Sequence, residues 1–296
     1  MHRIARIAIA ALASVGMLAS VAACGSGQST SKKNGTIEVA ASVNQWGTVA
    51  KALGGDNVNV TSIINSTNVD AHDYEPTTSD IAKLQKAQVI IVNGAGYDAW
   101  AVKAAQTANA IIVNAAEIGG VNDGENPHVW FSADVRKAVA QAITEAYEQA
   151  DAAKKNDFDK MNDQWAAEEN NVESKIAEVK QKTDGLAYAA TESVASYLAE
   201  DMGLADATPS GYARATANES EPTPTDIKQF TDALKAGEIK LLVVNTQEES
   251  ELTGKITDAA KSVEVPMVEL TEQMPEQYDS LTDWMAALVD AFSQAI

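Results

Sequence analysis

The sequence predicts an α/β protein with two lobes connected by one long helix. In two separate blocks of the chain, short apolar strands alternate with helical stretches, which is the pattern of parallel α/β layers. Between the blocks, residues 132–183 carry no strand signal, and their apolar residues keep a mostly helical spacing. We therefore divide the chain into a first lobe at 36–150, a connecting helix at 151–183 and a second lobe at 184–296.

The first 35 residues are predicted to lie outside this fold. Residues 1–23 have a basic start, an apolar middle and small residues at the end, which is typical of an export signal peptide. Cys24 follows Val21-Ala22-Ala23, and this arrangement resembles the bacterial lipobox, in which the cysteine is cleaved and acylated; an ordinary export signal is the alternative. Residues 24–35 are rich in Gly, Ser, Thr and Lys and predict a flexible tether. We expect the protein to be anchored through Cys24 to the outer face of the plasma membrane.

The composition narrows the classes of partner. The chain has a formal net charge of −20 and a single cysteine. A strongly acidic surface repels nucleic acid and anionic lipid, so we expect neither as a partner. The lone cysteine rules out an internal disulfide. No stretch after the signal is long and apolar enough for a transmembrane helix.

The strands of the first block follow directly after the tether. Its predicted strands are 37–43, 58–64, 89–93 and 110–113. A helix is predicted to begin after Thr77, because Thr77 can cap it and Asp80, three residues later, can bond back to the cap. This fixed helix start lies just downstream of His72.

The connecting helix and the second block complete the predicted fold. A helix over 156–182 would be about 40 Å long, which is longer than one small lobe needs. Asp184-Gly185 is expected to end it. The predicted strands of the second block are 186–190, 239–244 and 265–270, and an amphipathic helix is predicted at 280–295. The segment 208–225, rich in Pro, Gly, Ser and Glu, is predicted to be a long surface loop.

Imidazole and carboxylate side chains are predicted at the carboxyl ends of these strands. The chain has three histidines, and His2 lies in the predicted signal peptide. His72 and His128 follow strands of the first block, Glu192 follows the first strand of the second block, and Glu269 lies at the end of its last strand. Ligands bind at this edge of open α/β sheets, so a cleft between the lobes would contain two imidazoles and two carboxylates. This set would balance the charge of one divalent cation and suits Mn²⁺ or Zn²⁺. The residues alone do not distinguish these two glutamates from the other acids.

Three stretches resemble signatures of the zinc/manganese family of ABC-transporter solute-binding proteins, and they occur in the family's order and spacing. They are Asp70–Asp80, Val92–Trp100 and Asn126–Trp130, and the resemblance continues weakly through Asn218–Pro224 and the terminal helix. It implies two similar lobes bridged by a rigid helix, with the metal between them on four side chains, two from each lobe. It also implies a monomeric protein, not an enzyme, that captures a metal ion outside the membrane and passes it to an ABC permease.

The resemblance assigns the four ligands by position. His72 and His128 match the first two, Glu192 matches the third and Glu269 the fourth, where the family usually has Asp. Zinc-type members usually have His at the third position, and many insert a His-rich loop that residues 117–126 lack. Glu can bind through one oxygen or two, and Mn²⁺ accepts more than four donors. These features favour manganese and leave zinc open, because affinities at a given site generally favour Zn²⁺ over Mn²⁺.

Two other classes of function are weighed against metal capture. A metallohydrolase could also use His and carboxylate ligands, but the chain has no His-Glu-x-x-His motif, no Gly-x-Ser-x-Gly motif and no further histidine to act as a base. A surface adhesin or interaction protein with a structural metal is the third class. The sequence does not separate adhesion from transport.

Overall fold

In the computed structural model, which describes residues 35–69, 71 and 73–296, two parallel four-stranded sheets form the framework of the protein. The predicted signal peptide, Cys24 and the predicted tether up to residue 34 lie outside the described residues, as do Asp70 and His72. Thr36–Ile296 form one unit by their contacts. The α/β class with two parallel sheets is confirmed. The lobe boundaries stay a prediction.

The first sheet has the strand order β2-β1-β3-β4. Its strands are β1 (Ile37–Val43), β2 (Val58–Ile64), β3 (Val89–Val92) and β4 (Ile111–Asn114). The two central strands, β1 and β3, are apolar along almost their whole length, because helices cover both faces of a parallel sheet. All four strands lie within one or two residues of their predicted positions.

The second sheet repeats this order as β6-β5-β7-β8. Its strands are β5 (Ala187–Ala190), β6 (Ala205–Asp206), β7 (Leu241–Asn245) and β8 (Met267–Leu270). The sequence did not predict β6, because two exposed residues carry no strand pattern. The two sheets share one topology, so the described part of the chain contains two similar α/β layers.

Helices connect the strands within each lobe. Those of the first lobe are α1 (Asn44–Gly54), α2 (Thr78–Lys86), α3 (Ala99–Ala105), α4 (Ala115–Gly119) and α5 (Ala133–Ala150). The long helix is α6 (Lys155–Thr183). Those of the second lobe are α7 (Ser196–Asp201), α8 (Ser210–Ala217), α9 (Pro224–Lys235), α10 (Glu251–Ser262) and α11 (Leu281–Ala295).

The long helix α6 connects the two sheets along the chain. It has 29 residues, which corresponds to a length of about 43 Å. It ends at Asp184, and Gly185 has a φ of +76°, as expected for the residue that leaves a helix. Its buried residues pack against α5 from the first lobe and α11 from the second. The predicted connecting helix is therefore confirmed, and it shares a core with both lobes.

That shared core is rich in tryptophan. One apolar cluster contains Trp46 and Trp130 of the first lobe, Trp165 of α6 and Trp284 of α11, and none of them is more than 3% exposed. These buried rings therefore join both lobes and α6 in one core.

A buried ion pair joins α6 to the segment that carries His128. Arg136 on α5 donates from Nε to both carboxylate oxygens of Glu169 on α6, at 3.1 Å each. Its Nη1 donates to the carbonyl oxygen of Trp130 at 3.0 Å, and Trp130 lies in the 3-10 turn that directly follows His128. Arg136 and Glu169 are both fully buried. The long helix therefore supports the backbone next to a predicted ligand.

The predicted capping box of α2 is present. Thr77 Oγ1 accepts from the backbone N–H of Asp80 at 3.2 Å, and Asp80 Oδ2 accepts from the backbone N–H of Thr77 at 3.0 Å. Asp80 also accepts hydrogen bonds from the Tyr74 hydroxyl at 2.8 Å and from Lys83 at 3.0 Å. Burial alone would raise the pKa of Asp80, but these hydrogen bonds outweigh it and hold the pKa well below its usual range. The segment after residue 72 is thus fastened to the start of α2.

The predicted surface loop at 208–225 is wrong. Helix α8 lies within it, and α9 begins at Pro224. Tyr212 of α8 is buried, and its ring meets that of Phe230 at a centroid distance of 4.9 Å. This packing stabilises a helix whose composition alone is typical of a loop.

Among the residues that the structure describes, no helix has both the length and the apolar character needed to cross a membrane.

Candidate metal centre

Three potential metal ligands converge in the described part of the chain. They are His128, Glu192 and Glu272, and each offers a ligand atom within 4.8 Å of the other two. Nε2 of His128 lies 2.9 Å from Oε1 of Glu272 and 3.8 Å from Oε1 of Glu192. Two donors on one cation lie about 3 to 3.5 Å apart when each bond is about 2.0–2.2 Å long. The two measured distances lie on either side of this range, so small shifts of the side chains would bring the donors to the spacing around a single ion.

Two residues of this cluster follow strands of the second sheet, and the third comes from a segment of the first lobe. Glu192 is two residues beyond the end of β5, and Glu272 is two residues beyond the end of β8. His128 precedes the 3-10 turn Val129–Phe131 of the first lobe. Both glutamates thus come from the carboxyl edge of the second sheet, where parallel sheets place ligand groups. The cluster is mostly buried, with only the Glu192 side chain partly exposed, at 17%.

The His128 ring is held in one orientation by Asn126. Nδ1 of His128 lies 2.7 Å from Oδ1 of Asn126, whose Nδ2 donates to the carbonyl oxygen of Ser193 and to Oγ of Ser196 at 2.8 and 2.6 Å. The Asn126 amide has its nitrogen on the serine side and its Oδ1 toward Nδ1 of His128, so Nε2 is the ring nitrogen that faces the carboxylates.

Aromatic rings form the wall behind the imidazole. The His128 ring meets Trp130 edge-on at a centroid distance of 5.4 Å and Tyr97 at 6.0 Å. Burial, followed by the charge and hydrogen bond of Glu272, raises the pKa of Tyr97 well above its ordinary value. The Tyr97 phenol therefore stays neutral and serves as a hydrogen-bond donor beside the cluster.

Amide side chains support the two carboxylates. Nδ2 of Asn245 donates to Oε2 of Glu192 at 2.6 Å. The backbone N–H of Glu272 donates to Oε1 of Gln247 at 2.7 Å, and the backbone carbonyl oxygen of Glu272 accepts from Nε2 of Gln45 at 3.0 Å. The Glu272 backbone is thus fixed independently of its carboxylate. The amides therefore fix the carboxylate of Glu192 and the backbone of Glu272.

Hydrogen bonds also cross between the two lobes around the cluster. Asn44 of α1 donates to the carbonyl oxygen of Met274 at 2.7 Å, and Gln247 donates to the carbonyl oxygen of Thr67 at 2.9 Å. The Tyr197 hydroxyl of α7 donates to the carbonyl oxygen of Asn126 at 2.8 Å. The structure therefore shows the lobes in contact around the candidate ligands.

The structure brings together two of the four ligands predicted from the sequence. His128 and Glu192 lie in the cluster, whereas His72 lies outside the described residues. Glu269 is exposed on β8, between the buried Val268 and Leu270, and does not belong to the cluster. The alternation of a strand turns its side chain away from the core face that those neighbours occupy.

Sequence reasoning missed Glu272 and the supporting Asn245. One signal could have found Glu272: it stands two residues beyond its strand, at the same distance as Glu192. Asn245 is the last residue of β7, the strand between β5 and β8 in the sheet, so it belongs to the same carboxyl edge. Amides are common at strand ends, and for that reason the sequence alone gives Asn245 no priority.

The chain is similar in sequence and fold to known metal-binding proteins of ABC transporters and to their family model. The family model described as zinc-uptake complex component A, periplasmic, matches residues 39–295. The chain is 24% identical over 253 residues to the manganese ABC transporter substrate-binding lipoprotein PsaA of Streptococcus pneumoniae, covering 78% of this chain and 79% of that protein. It is 26% identical over 236 residues to the iron ABC transporter substrate-binding lipoprotein MtsA of Streptococcus pyogenes serotype M1, covering 72% and 73%. The periplasmic zinc-binding protein TroA of Treponema pallidum has the same fold, with a TM-score of 0.74 at 14% identity, covering 88% of this chain and 99% of that one.

Proposed function

Because the chain belongs to the zinc-uptake complex component A family, we propose that it captures a divalent transition metal ion at His128, Glu192 and Glu272 and delivers it to an ABC permease. The observation that carries this proposal is the convergence of one imidazole and two carboxylates at a buried point of the fold. The family is one of substrate-binding components rather than enzymes, so the metal is the cargo of this protein and not a catalytic cofactor.

We propose His72 as the fourth ligand and Glu272 in place of Glu269. The proposal for His72 rests on its sequence position in the stretch Asp70–Asp80, which resembles a signature of the family. Glu272 is supported by its 2.9 Å contact with His128 and by the exposure of Glu269 on β8. Two neutral imidazoles and two carboxylates balance the charge of one divalent ion. Such a set can take the ion out of water without leaving a net buried charge.

The proposed cargo is Mn²⁺ or Zn²⁺. Nitrogen and oxygen donors without a thiolate suit both ions. Relatives of this chain are named for manganese and for iron, and the TroA structure is that of a zinc-binding protein. Fe²⁺ therefore belongs in the same competition experiment.

We further propose that the protein works outside the cytoplasm as a monomer held to the membrane by a lipid on Cys24. The support is the lipobox-like sequence around Cys24 and the lipoprotein names of the relatives. The charge of the chain supports a soluble capture protein rather than one that binds nucleic acid. Surface adhesion stays a prediction.

The test compares two glutamates that lie three residues apart. We expect Glu272→Ala to weaken the binding of Mn²⁺ and Zn²⁺ by more than about 100-fold, since even residues that only support a ligand typically contribute about 10- to 100-fold. The protein should stay folded, because Gln45 and Gln247 bind the backbone of residue 272. Glu269→Ala is the matched control and should bind both metals as the wild type does. The measurement is calorimetric titration of protein stripped of metal.

Equal affinities in the Glu272→Ala variant and the wild type would contradict the proposed site. Delivery is tested separately, by measuring metal accumulation in cells that carry the wild-type or the Glu272→Ala gene in place of the native one. Accumulation that does not depend on Glu272 would contradict a role in metal uptake.

A further inference from the structure

Building on the proposed metal capture, we propose that Asn245 is a specificity-determining residue that makes Glu192 bind metal through one oxygen only. The Asn245 amide engages Oε2 of Glu192, while Oε1 is the oxygen that faces His128. With Oε2 engaged, Glu192 offers one donor to the ion rather than two. Asn245 thereby favours a four-coordinate ion such as Zn²⁺ over an ion that prefers six donors.

The position of Asn245 is rigid. It is 1% exposed and ends strand β7, which pairs with β5, the strand that leads to Glu192. Its backbone N–H donates to Oγ1 of Thr191 at 3.0 Å, directly beside Glu192 in the chain. The backbone of Asn245 is therefore fixed beside Glu192 by the end of a central strand.

The orientation of the Asn245 amide is also determined. Its Oδ1 accepts the backbone N–H of Gln247 at 3.0 Å, so its Nδ2 must be the group on the Glu192 side. Nδ2 donates to Oε2 of Glu192 at 2.6 Å, at the short end of the range for such bonds. A buried donor that lost this acceptor would be left unsatisfied, which is costly. The amide therefore resists any rotation of the carboxylate that would release Oε2.

The two carboxylate oxygens of Glu192 therefore have different roles. Oε1 lies 3.8 Å from Nε2 of His128, a few tenths of an ångström beyond the spacing of donors on one ion, whereas Oε2 accepts the hydrogen bond from the amide. For the carboxylate to bind through both oxygens, it would have to turn both toward the ion and weaken its bond to Asn245. The metal that gains from a second oxygen is the one with the higher coordination number, which is Mn²⁺ rather than Zn²⁺.

The test removes the amide and measures the preference between the two metals. We expect Asn245→Ala to shift the ratio of Mn²⁺ to Zn²⁺ affinity toward Mn²⁺ by about tenfold, the lower end of the effect of groups that support a ligand. Asn245→Asp keeps the acceptor for Gln247 and replaces the donor by a carboxylate oxygen, whose charge repels Oε2 of Glu192 and releases it. This variant should shift the ratio in the same direction and covers the case in which the alanine variant does not fold.

The matched control is Asn59→Ala. Nδ2 of Asn59 donates to Oε2 of Glu38 at 2.9 Å, which is the same amide–carboxylate pair at an exposed position of the first sheet. Its loss should leave both affinities and their ratio at the wild-type values. This control separates the role of Asn245 from any general effect of losing such a bond.

A direct measurement of coordination complements the affinities. X-ray absorption at the manganese edge should give a higher number of nitrogen or oxygen neighbours in Asn245→Ala than in the wild type. A purely structural role of Asn245 would weaken both metals equally and leave this number unchanged, and that result would overturn the inference. An unchanged affinity ratio in both Asn245 variants would overturn it as well.

The outcomes distinguish this inference from the proposed function. If Glu192→Ala leaves both affinities unchanged, Glu192 is not a ligand and the proposed site itself fails. If Glu192→Ala abolishes tight binding while the Asn245 variants keep the wild-type ratio, capture stands and only the assignment of Asn245 fails.

Discussion

Removing one partner of the buried Arg136–Glu169 pair tests how much the contact between α5 and the long helix α6 contributes to the stability of the protein. Both side chains are fully buried, so Glu169→Leu leaves the Arg136 guanidinium without its counter-charge. Breaking a buried ion pair in this way typically costs about 3–5 kcal/mol. For a protein of this length, each kcal/mol corresponds to about 2–4 °C, so we expect Tm to fall by about 10 °C.

The double variant gives the sharper result. Arg136→Met together with Glu169→Leu replaces both charges by apolar groups of similar size, and such replacements are often nearly neutral. We expect the double variant to recover most of the stability lost in Glu169→Leu. The small remaining deficit should reflect the carbonyl oxygen of Trp130, which loses its bond from Arg136.

Urea unfolding of the wild type, the two single variants and the double variant completes the cycle. A coupling free energy of at least about 3 kcal/mol is expected, because the cost lies in an unpaired charge rather than in lost packing. Lys175→Met is the control, since its ion pair with Asp290 is half exposed and should contribute less than about 1 kcal/mol. Additive effects of Arg136→Met and Glu169→Leu would refute the reasoning.

Two further predictions concern the loops around the site. Gln247→Ala removes the hydrogen bonds to Thr67 and to the backbone of Glu272, so metal should dissociate about tenfold faster than from the wild type. The surface variant Gln141→Ala is the control and should release metal at the wild-type rate. Stopped-flow transfer of the metal to a chelator measures the rate, and an unchanged rate in Gln247→Ala would contradict the prediction. Asp80→Asn should cost about 1–2 kcal/mol at pH 7, because it breaks the capping box of α2. The pKa of Asp80 is lowered in the folded state, so its stabilisation is complete above the unfolded pKa of about 3.9 and is lost as the pH falls toward the folded pKa. The difference in unfolding free energy between wild type and Asp80→Asn should therefore be smaller at pH 2.5 than at pH 7, and an equal difference would count against the assignment.

The regular elements could be predicted wherever local pattern and tertiary packing agree. Strand β1 has the predicted bounds, because its apolar run ends at the polar pair Asn44-Gln45. The capping box at Thr77 needed only two side chains at the right spacing. Helix α8 could not be predicted, because Tyr212 and its contact with Phe230, eighteen residues away in the sequence, stabilise a segment of loop-like composition.

The candidate site could be predicted in part for the same reason. Glu192 follows a strand whose end the sequence marks, His128 stands among turn-forming residues, and both lie in the cluster. The supporting amides could not be ranked from the sequence, because their importance depends on which side of the sheet edge faces the other lobe. Asn245 and Gln247 support the ligands only because the carboxyl ends of β5, β7 and β8 lie side by side in the folded sheet.

The difference between Glu269 and Glu272 shows why a strand end must be located to the residue before a ligand is chosen. Within β8, successive side chains alternate between faces, so the burial of Val268 and Leu270 excludes Glu269 from the core face. Beyond Leu270 the alternation no longer applies, and the backbone bonds from Gln45 and Gln247 turn residue 272 inward. Glu192 and Glu272 stand at the same distance beyond two strands of the second sheet, so both lie at its carboxyl edge. An acid two residues past a strand of this sheet is therefore a better candidate ligand than an acid inside the strand.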